Sequence, residues 1–183
     1  MPRQLKFLLV GFFLLLYACS AKRAPPPEDL PELVLLSPTD ITHELVLRQA
    51  AIFETSGEQQ AFIAITRIEF GRVRMALLLP TGQSMLDLDY NGIELFQQDF
   101  SGRDLPGRDI LASLQFALWP EASLQKHYRQ LHGWRLKLTE DSRSLLTDAG
   151  VLLRIDRSNQ GLIVNNYLHQ YRVSIQTLKA SEL

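Results

Sequence analysis

Downstream of Thr42 the chain alternates apolar and polar residues over short stretches, the period-two signature of strands with one buried face. Residues 44–54 alternate loosely, with Leu45, Leu47, Ala51 and Phe53 on one side. A turn at Ser56-Gly57 leads into residues 60–68. The clearest alternation spans 72–79, where Val73, Met75, Leu77 and Leu79 oppose Arg72, Arg74, Ala76 and Leu78. Beyond Pro80-Thr81-Gly82, residues 84–90 set Leu86, Leu88 and Tyr90 against Asp87 and Asp89. Asn91-Gly92 predicts a two-residue hairpin turn, because both positions tolerate positive φ. Residues 93–96 then complete a meander of about five strands.

The period changes at Asp109. Ile110, Leu111, Leu114, Ala117 and Leu118 recur at helical spacing as far as Trp119. Pro120 breaks that helix or starts the next. Residues 121–131 continue with Leu124, Tyr128 and Leu131 on one face, and Gly133 stops them. Further strand candidates follow at 134–138, 144–146, 151–155, 162–168 and 171–178. About ten short antiparallel strands interrupted once by a helical pair predict a mainly β fold with a helical insert (α+β). The helices carry an apolar face that must be buried, and the concave face of a strongly curved sheet is the surface available. The expected architecture is an unclosed antiparallel β-barrel lidded by helices.

The N-terminus follows a different logic. Arg3 and Lys6 precede an uncharged Leu/Phe-rich run over 7–16. That run is too short to span a bilayer, which takes about 20 residues, but suits a signal peptide over residues 1–18. It ends in Leu16-Tyr17-Ala18-Cys19, and Cys19 is the chain's 1 cysteine. This junction resembles a bacterial lipobox. The resemblance implies cleavage after Ala18, a diacylglycerol on the Cys19 sulfur and an acyl chain on the new amino group. In such lipoproteins an aspartate after the cysteine favours inner-membrane retention, so Ser20 implies an outer-membrane anchor facing the periplasm. Residues 19–41 then read as lipidated cysteine and Pro-rich tether. Its polar part over 20–30 would stand a folded domain at 42–183 on the order of 30 Å from the membrane.

Charge and composition narrow the functional classes. The 19 basic and 20 acidic residues nearly cancel, which leaves no broad basic surface for nucleic acid. One cysteine and 4 histidines exclude a disulfide framework and a Cys-based zinc cluster, and leave little for a metal site.

Two segments carry a resemblance to a known family. The run from Arg72-Val73-Arg74-Met75 through Leu79-Pro80-Thr81-Gly82 to Leu88-Asp89-Tyr90 resembles the equivalent hairpin of LolB, the outer-membrane lipoprotein receptor. The block Asp109-Ile110-Leu111-Ala112-Ser113-Leu114-Gln115-Phe116-Ala117-Leu118-Trp119-Pro120, with the later Gly133-Trp134-Arg135-Leu136, is similar to LolB-like outer-membrane lipoproteins of the LolA/LolB superfamily. The resemblance covers residues 42–178 and implies a helix-lidded, unclosed barrel whose apolar cavity accepts acyl chains. It admits a LolA-like periplasmic carrier as a partner. Relatives often encoded beside aryl polyene genes widen the cargo from lipoproteins to lipids and polyenes. In LolB the loop equivalent to Pro80-Thr81-Gly82 presents a protruding leucine to the membrane. Thr81 stands at that position here, so the resemblance makes this membrane-facing loop a weak one.

No catalytic motif emerges from the residues themselves. His43-Glu44 lacks the second histidine of a zinc helix, since position 47 is Leu, and neither a nucleophile elbow nor a phosphate-binding glycine loop is present. Asp87 and Asp89 share a strand face, read as a solvated outer surface. His127 and His132 lie near a helix end and receive no role. The chain is therefore read as no enzyme, with no cofactor beyond the acyl groups on Cys19. Val73, Met75, Leu77, Leu86, Leu88, Leu114, Leu118 and Trp119 either line a lipid cavity or fill a closed core, and Trp119 anchors a lid end in both cases. Two functions follow: an outer-membrane-anchored acceptor or carrier of acylated or hydrophobic cargo, or a scaffold lipoprotein of an envelope complex with a ligand-free core.

Overall fold

The structure is a computed structural model that describes residues 32–129, 131 and 133–182. The signal peptide, Cys19, the tether through Pro31 and His132 lie outside the described residues. Five strands come first: β1 (Leu45–Thr55), β2 (Glu58–Glu69), β3 (Arg72–Leu78), β4 (Ser84–Tyr90) and β5 (Leu95–Asp99). Helices α1 (Gly107–Leu118) and α2 (Glu121–Tyr128) follow. Then come β6 (Arg135–Leu138), β7 (Ser142–Thr147), β8 (Gly150–Ser158), β9 (Gly161–Asn166) and β10 (Tyr171–Glu182).

All the strands join one 10-stranded sheet in the order β5-β4-β3-β2-β1-β10-β9-β8-β7-β6. Two meanders run outward from a central seam, where the first and last strands pair antiparallel from Leu45↔Glu182 to Thr55↔Tyr171. The sheet is not closed: β5 and β6 are its two edges. This order dictates where the helices go. A chain leaving the sheet at one edge and rejoining it at the other must cross a face, and α1 and α2 are that crossing. Bulges at Arg48/Gln49, Leu77/Leu78 and Leu145/Leu146 interrupt the register and add local twist, which helps the sheet curl around the helices.

Two expectations are corrected here. The turn after β4 is a four-residue loop, since Tyr90 pairs with Leu95. Only Gly92 has positive φ (90°), because the Asn91 side chain instead accepts the Ile93 and Glu94 amides at 2.9 and 2.8 Å. The folded unit also begins at Glu32 rather than Thr42. Leu33 and Leu36 are among its most deeply buried side chains. The proline and acid content of that stretch hid two core leucines.

Residues 32–41 form a strap held by the helices. The buried Gln115 amide pairs with the Leu36 backbone, Oε1 accepting from N–H and Nε2 donating to C=O, both at 2.8 Å. Trp119 Nε1 donates to the Ser37 carbonyl at 2.9 Å, and Tyr128 Oη to the Val34 carbonyl at 3.2 Å. A 3-10 turn at Pro38–Asp40 then brings Asp40 to Ser123 Oγ at 2.5 Å. The C-terminal carbonyls of α1, which lack intrahelical donors, are met by two arginines. Arg143 Nη1 donates to Phe116 and Trp119 oxygens at 3.0 and 2.7 Å, and Arg157 Nη2 to Ala117 O at 2.7 Å. Burial, reinforced by the Arg157 charge, lowers the Arg143 guanidinium to about 10.

Candidate functional site

A cavity of about 380 Å³ lies between the sheet and α1, within the range of about 300–1,000 Å³ typical of small-molecule sites. Its walls are Met85 of β4 and inward-facing alternate positions of five further strands. Those positions are Gln49, Ala51 and Phe53 of β1; Gln60, Phe62 and Ala64 of β2; Met75 and Leu77 of β3; Leu162 and Val164 of β9; and Tyr171, Val173 and Ile175 of β10. The α1 residues Ile110, Ser113, Leu114 and Ala117 form the opposite wall. A mouth is marked by exposed residues that also line the space: Glu58 at the start of β2, Gln83 in the β3–β4 loop, and Arg103 and Pro106 between β5 and α1.

The structure divides the candidate lining residues. Met75, Leu77 and Leu114 line the cavity. Val73, Leu86, Leu88, Leu118 and Trp119 do not: the first three and Trp119 are buried core, and Leu118 packs partly buried against it. Gly107 supplies the reason for Leu88. A Cβ there would lie 2.6 Å from Leu88 Cδ2 and 2.3 Å from Gln97 Oε1, so the missing side chain lets α1 settle onto β4 and cover its apolar face. Trp119 is drawn away from the cavity by its bond to the strap.

Sequence reasoning missed most of the wall on β1, β2, β9 and β10. The signal was present in part: period-two positions 49, 51, 60 and 64 hold Gln or Ala, residues too small or too polar to fill an interior alone. Nothing local shows that these positions face the same space, because β1 meets β10 only through a seam between the ends of the chain.

One end of the cavity is polar. Tyr171 Oη receives Asn166 Nδ2 at 3.0 Å and lies 3.3 Å from Ser113 Oγ. Burial raises its pKa, against a smaller opposing effect of those two bonds, so it stays a neutral phenol. Nearby, Asp109 Oδ2 lies 3.0 Å from His169 Nε2. Burial raises the Asp109 pKa, and His169 only partly offsets it.

The rim between β5 and α1 is ordered by Asp99. Its carboxylate accepts Ser101 N–H, Ser101 O–H and Leu105 N–H, each at 2.6 Å. These bonds, the Ser101 hydroxyl first, hold its pKa below 3.8 despite some desolvation. Pro80, Thr81 and Gly82 form an exposed tip beside the mouth, flanked by the cavity-lining Leu79 and Gln83. On the sheet's outer face Asp89 pairs with Arg72 through two bonds of 2.7 and 2.5 Å, which lowers its pKa. Asp87 accepts from Ser84 Oγ at 3.1 Å. The two carboxylates thus serve the charged surface. His127 Nε2 lies 3.3 Å from Asp40 Oδ2 at the strap, and no group of three or more His, Cys, Asp or Glu among the described residues is placed to hold a metal.

The arrangement suits retention of an apolar chain, with walls mostly of aliphatic and aromatic carbon, interrupted by Gln49, Gln60 and the Tyr171–Ser113 pair, and charged side chains only at the mouth among the described residues. No curated protein matches the chain. A family described as a protein of unknown function, DUF3261, matches residues 46–179, from β1 into β10, and the chain belongs to that family.

Proposed function

We propose that this protein is an outer-membrane-anchored, periplasm-facing lipoprotein that accepts or carries an acylated or otherwise hydrophobic cargo. The observation that carries the reading is the apolar cavity with a solvent-facing mouth. Burial in it favours an apolar chain by about 25 cal/mol per Å² removed from water, so transfer is passive and needs no catalytic step. The resemblance to LolB-like proteins supports cargo of the lipoprotein, lipid or aryl polyene class, with a LolA-like carrier as a candidate donor. The lipobox at Cys19 supports the anchor. A domain bearing acyl chains at one terminus and an apolar slot in its body is suited to take cargo at the membrane on which it stands.

The test is lipid mass spectrometry on the full-length chain purified from membranes, wild type against Ala51→Phe, which places a ring in the cavity. The expected result is a stoichiometric, non-covalent apolar molecule in the wild type that the variant loses. An empty wild-type protein would sink the carrier reading and favour the scaffold. The anchor has its own test: Cys19→Ala should leave the protein uncleaved and without acyl groups. Fractionation of that variant as a processed outer-membrane protein would overturn the lipoprotein reading. Thr81→Leu should strengthen liposome association if the exposed loop beside the mouth faces the membrane, and unchanged association would remove that role from Pro80, Thr81 and Gly82.

A further inference from the structure

We infer, resting on the carrier reading above, that the cargo is an amphiphile with a singly charged anionic head, a carboxylate or phosphodiester, gripped by Arg103 while its chain fills the cavity. The distribution of charge on the cavity wall carries this inference. Among the described residues lining the cavity, only Arg103 and Glu58 carry charged side chains. Both are exposed, and both sit at the same end of the sheet, Arg103 in the connection after β5 and Glu58 as the first residue of β2. Behind them the walls are uncharged and mostly carbon, with Phe62, Met75, Leu77 and Leu114 around the space. A charge deep among such groups would be strongly penalised, whereas one at the mouth keeps its hydration until a head arrives.

Arg103 is held in place rather than hanging from a loose loop. The Asp99 carboxylate pins Ser101 and Leu105 on either side of it, and Arg103 N–H donates to Ser101 Oγ at 3.0 Å. The chain reverses next at Asp104, which has φ 53°. Among the described residues neither Arg103 nor Glu58 forms a salt bridge, so the guanidinium fork is available. Its planar donor pair matches a carboxylate or phosphate edge and sheds water more readily than an ammonium. Glu58 at the start of β2 sets the charge limit: it tolerates one negative charge neutralised by Arg103 and repels a second.

The experiment uses the full-length chain in phospholipid nanodiscs with a diazirine-bearing palmitic acid. Cross-linked peptides identify occupancy of the cavity. Palmitic acid and palmitoyl lysophosphatidylglycerol, both singly charged acids, serve as competitors beside palmityl alcohol and palmitylamine. The two acids are expected to compete about fivefold better than the alcohol, a size typical of one partly exposed charge contact. The stronger of the two acids identifies the head as carboxylate or phosphate. Arg103→Gln should remove that advantage and leave the alcohol unchanged. Glu58→Gln should strengthen the acids and weaken the amine. Absence of any cross-link on cavity peptides would overturn the carrier reading and this inference with it. Cross-links in the cavity, with acid and alcohol competing equally or with no response to Arg103→Gln, would overturn this inference alone.

Discussion

The two halves of the sheet's inner face are built from similar residues and end in different states. Toward the strap, Val73, Leu86 and Leu88 meet Leu111, Phe116, Trp119, Leu33 and Leu36 in a filled core. Toward the β1–β10 seam, Met75 and Leu77, on the same strand face as Val73, look across open space at Ser113, Leu114 and Ala117. A single strand, β3, and a single helix, α1, thus contribute to both. Side-chain volume separates them. The filled half brings Trp, Phe and Tyr rings together, with Phe116 edge-on to Tyr128 at 5.5 Å and Tyr128 stacked on Trp134 at 5.9 Å. The open half carries rings too, with Phe53 and Tyr171 5.1 Å apart on the sheet, but α1 meets them with Ile110, Ser113, Leu114 and Ala117 and no ring of its own. Hydrophobic patterning marks a face as inward, whereas the volumes on facing elements decide whether that face is core or cavity wall.

Substitutions on the two sides should therefore differ in kind, and the largest effect belongs to the filled half. Trp119→Ala should cost about 3–5 kcal/mol, since it empties a fully enclosed site and leaves the Ser37 carbonyl with only the Asp40 N–H at 3.2 Å. Urea unfolding of the full-length chain measures this, and a loss comparable to that of a wall residue would erase the distinction between the halves. Gln115→Leu should follow at about 2–4 kcal/mol, because two buried backbone groups of Leu36 lose their partners at once. Hydrogen exchange should then show residues 32–41 opening ahead of the sheet. Opening of both together would mean that the strap is held by its leucines alone.

On the cavity side, Leu77→Ala should cost only about 1–2 kcal/mol, because one side of this residue already faces open space. Ala51→Phe should change stability by less than about 1 kcal/mol while displacing an apolar ligand. A large destabilisation by this ring would show that the space is smaller than its wall suggests. The smallest effect is acid sensitivity of the mouth. Asp99 titrates below its ordinary 3.8 in the folded protein. The order it contributes is therefore fully present above that value and lost as pH falls through the lower folded one. The Ser101 and Leu105 amide resonances should hold steady down to pH 3.8 and shift below it, and Asp99→Asn should remove the transition. An unchanged rim at lower pH would assign its order to Pro106 and the start of α1.

Much of the element order was legible because it is written in local periodicity. The alternation over 84–90 matches β4 residue for residue, and the helical spacing from Asp109 falls within α1. Prolines at 106 and 120 directly precede α1 and α2, where the lack of an N–H costs nothing. Boundaries drifted where polar residues extend a strand past its buried part. β10 runs on to Glu182 through an exposed stretch whose partner is β1.

The site was legible only in part. Met75, Leu77 and Leu114 were identified as inward-facing, which periodicity can establish. That Trp119 turns to the strap, and that Gln115 is the buried clasp on Leu36, were not legible. A glutamine on an apolar helix face has no meaning until the backbone it pairs with is known, some 79 positions away in sequence. The strap itself was concealed for the same reason, since two leucines in a polar stretch have no period.

What the sequence by itself determined is the inventory: the inward and outward faces of each strand, the helical interruption, and a lipobox-like cysteine ahead of a proline-rich stretch. These follow from interactions within about ten residues, where backbone geometry alone fixes which side chains share a face. Only the tertiary structure decided that β1 and β10 form the central seam, that α1 settles on β4 through Gly107, and that small residues of the sheet, Ala51 and Ala64, and of α1, Ser113 and Ala117, line one cavity. Those outcomes depend on the shapes of surfaces brought together from distant parts of the chain. A void is a property of facing surfaces, and no single segment of sequence contains both of them.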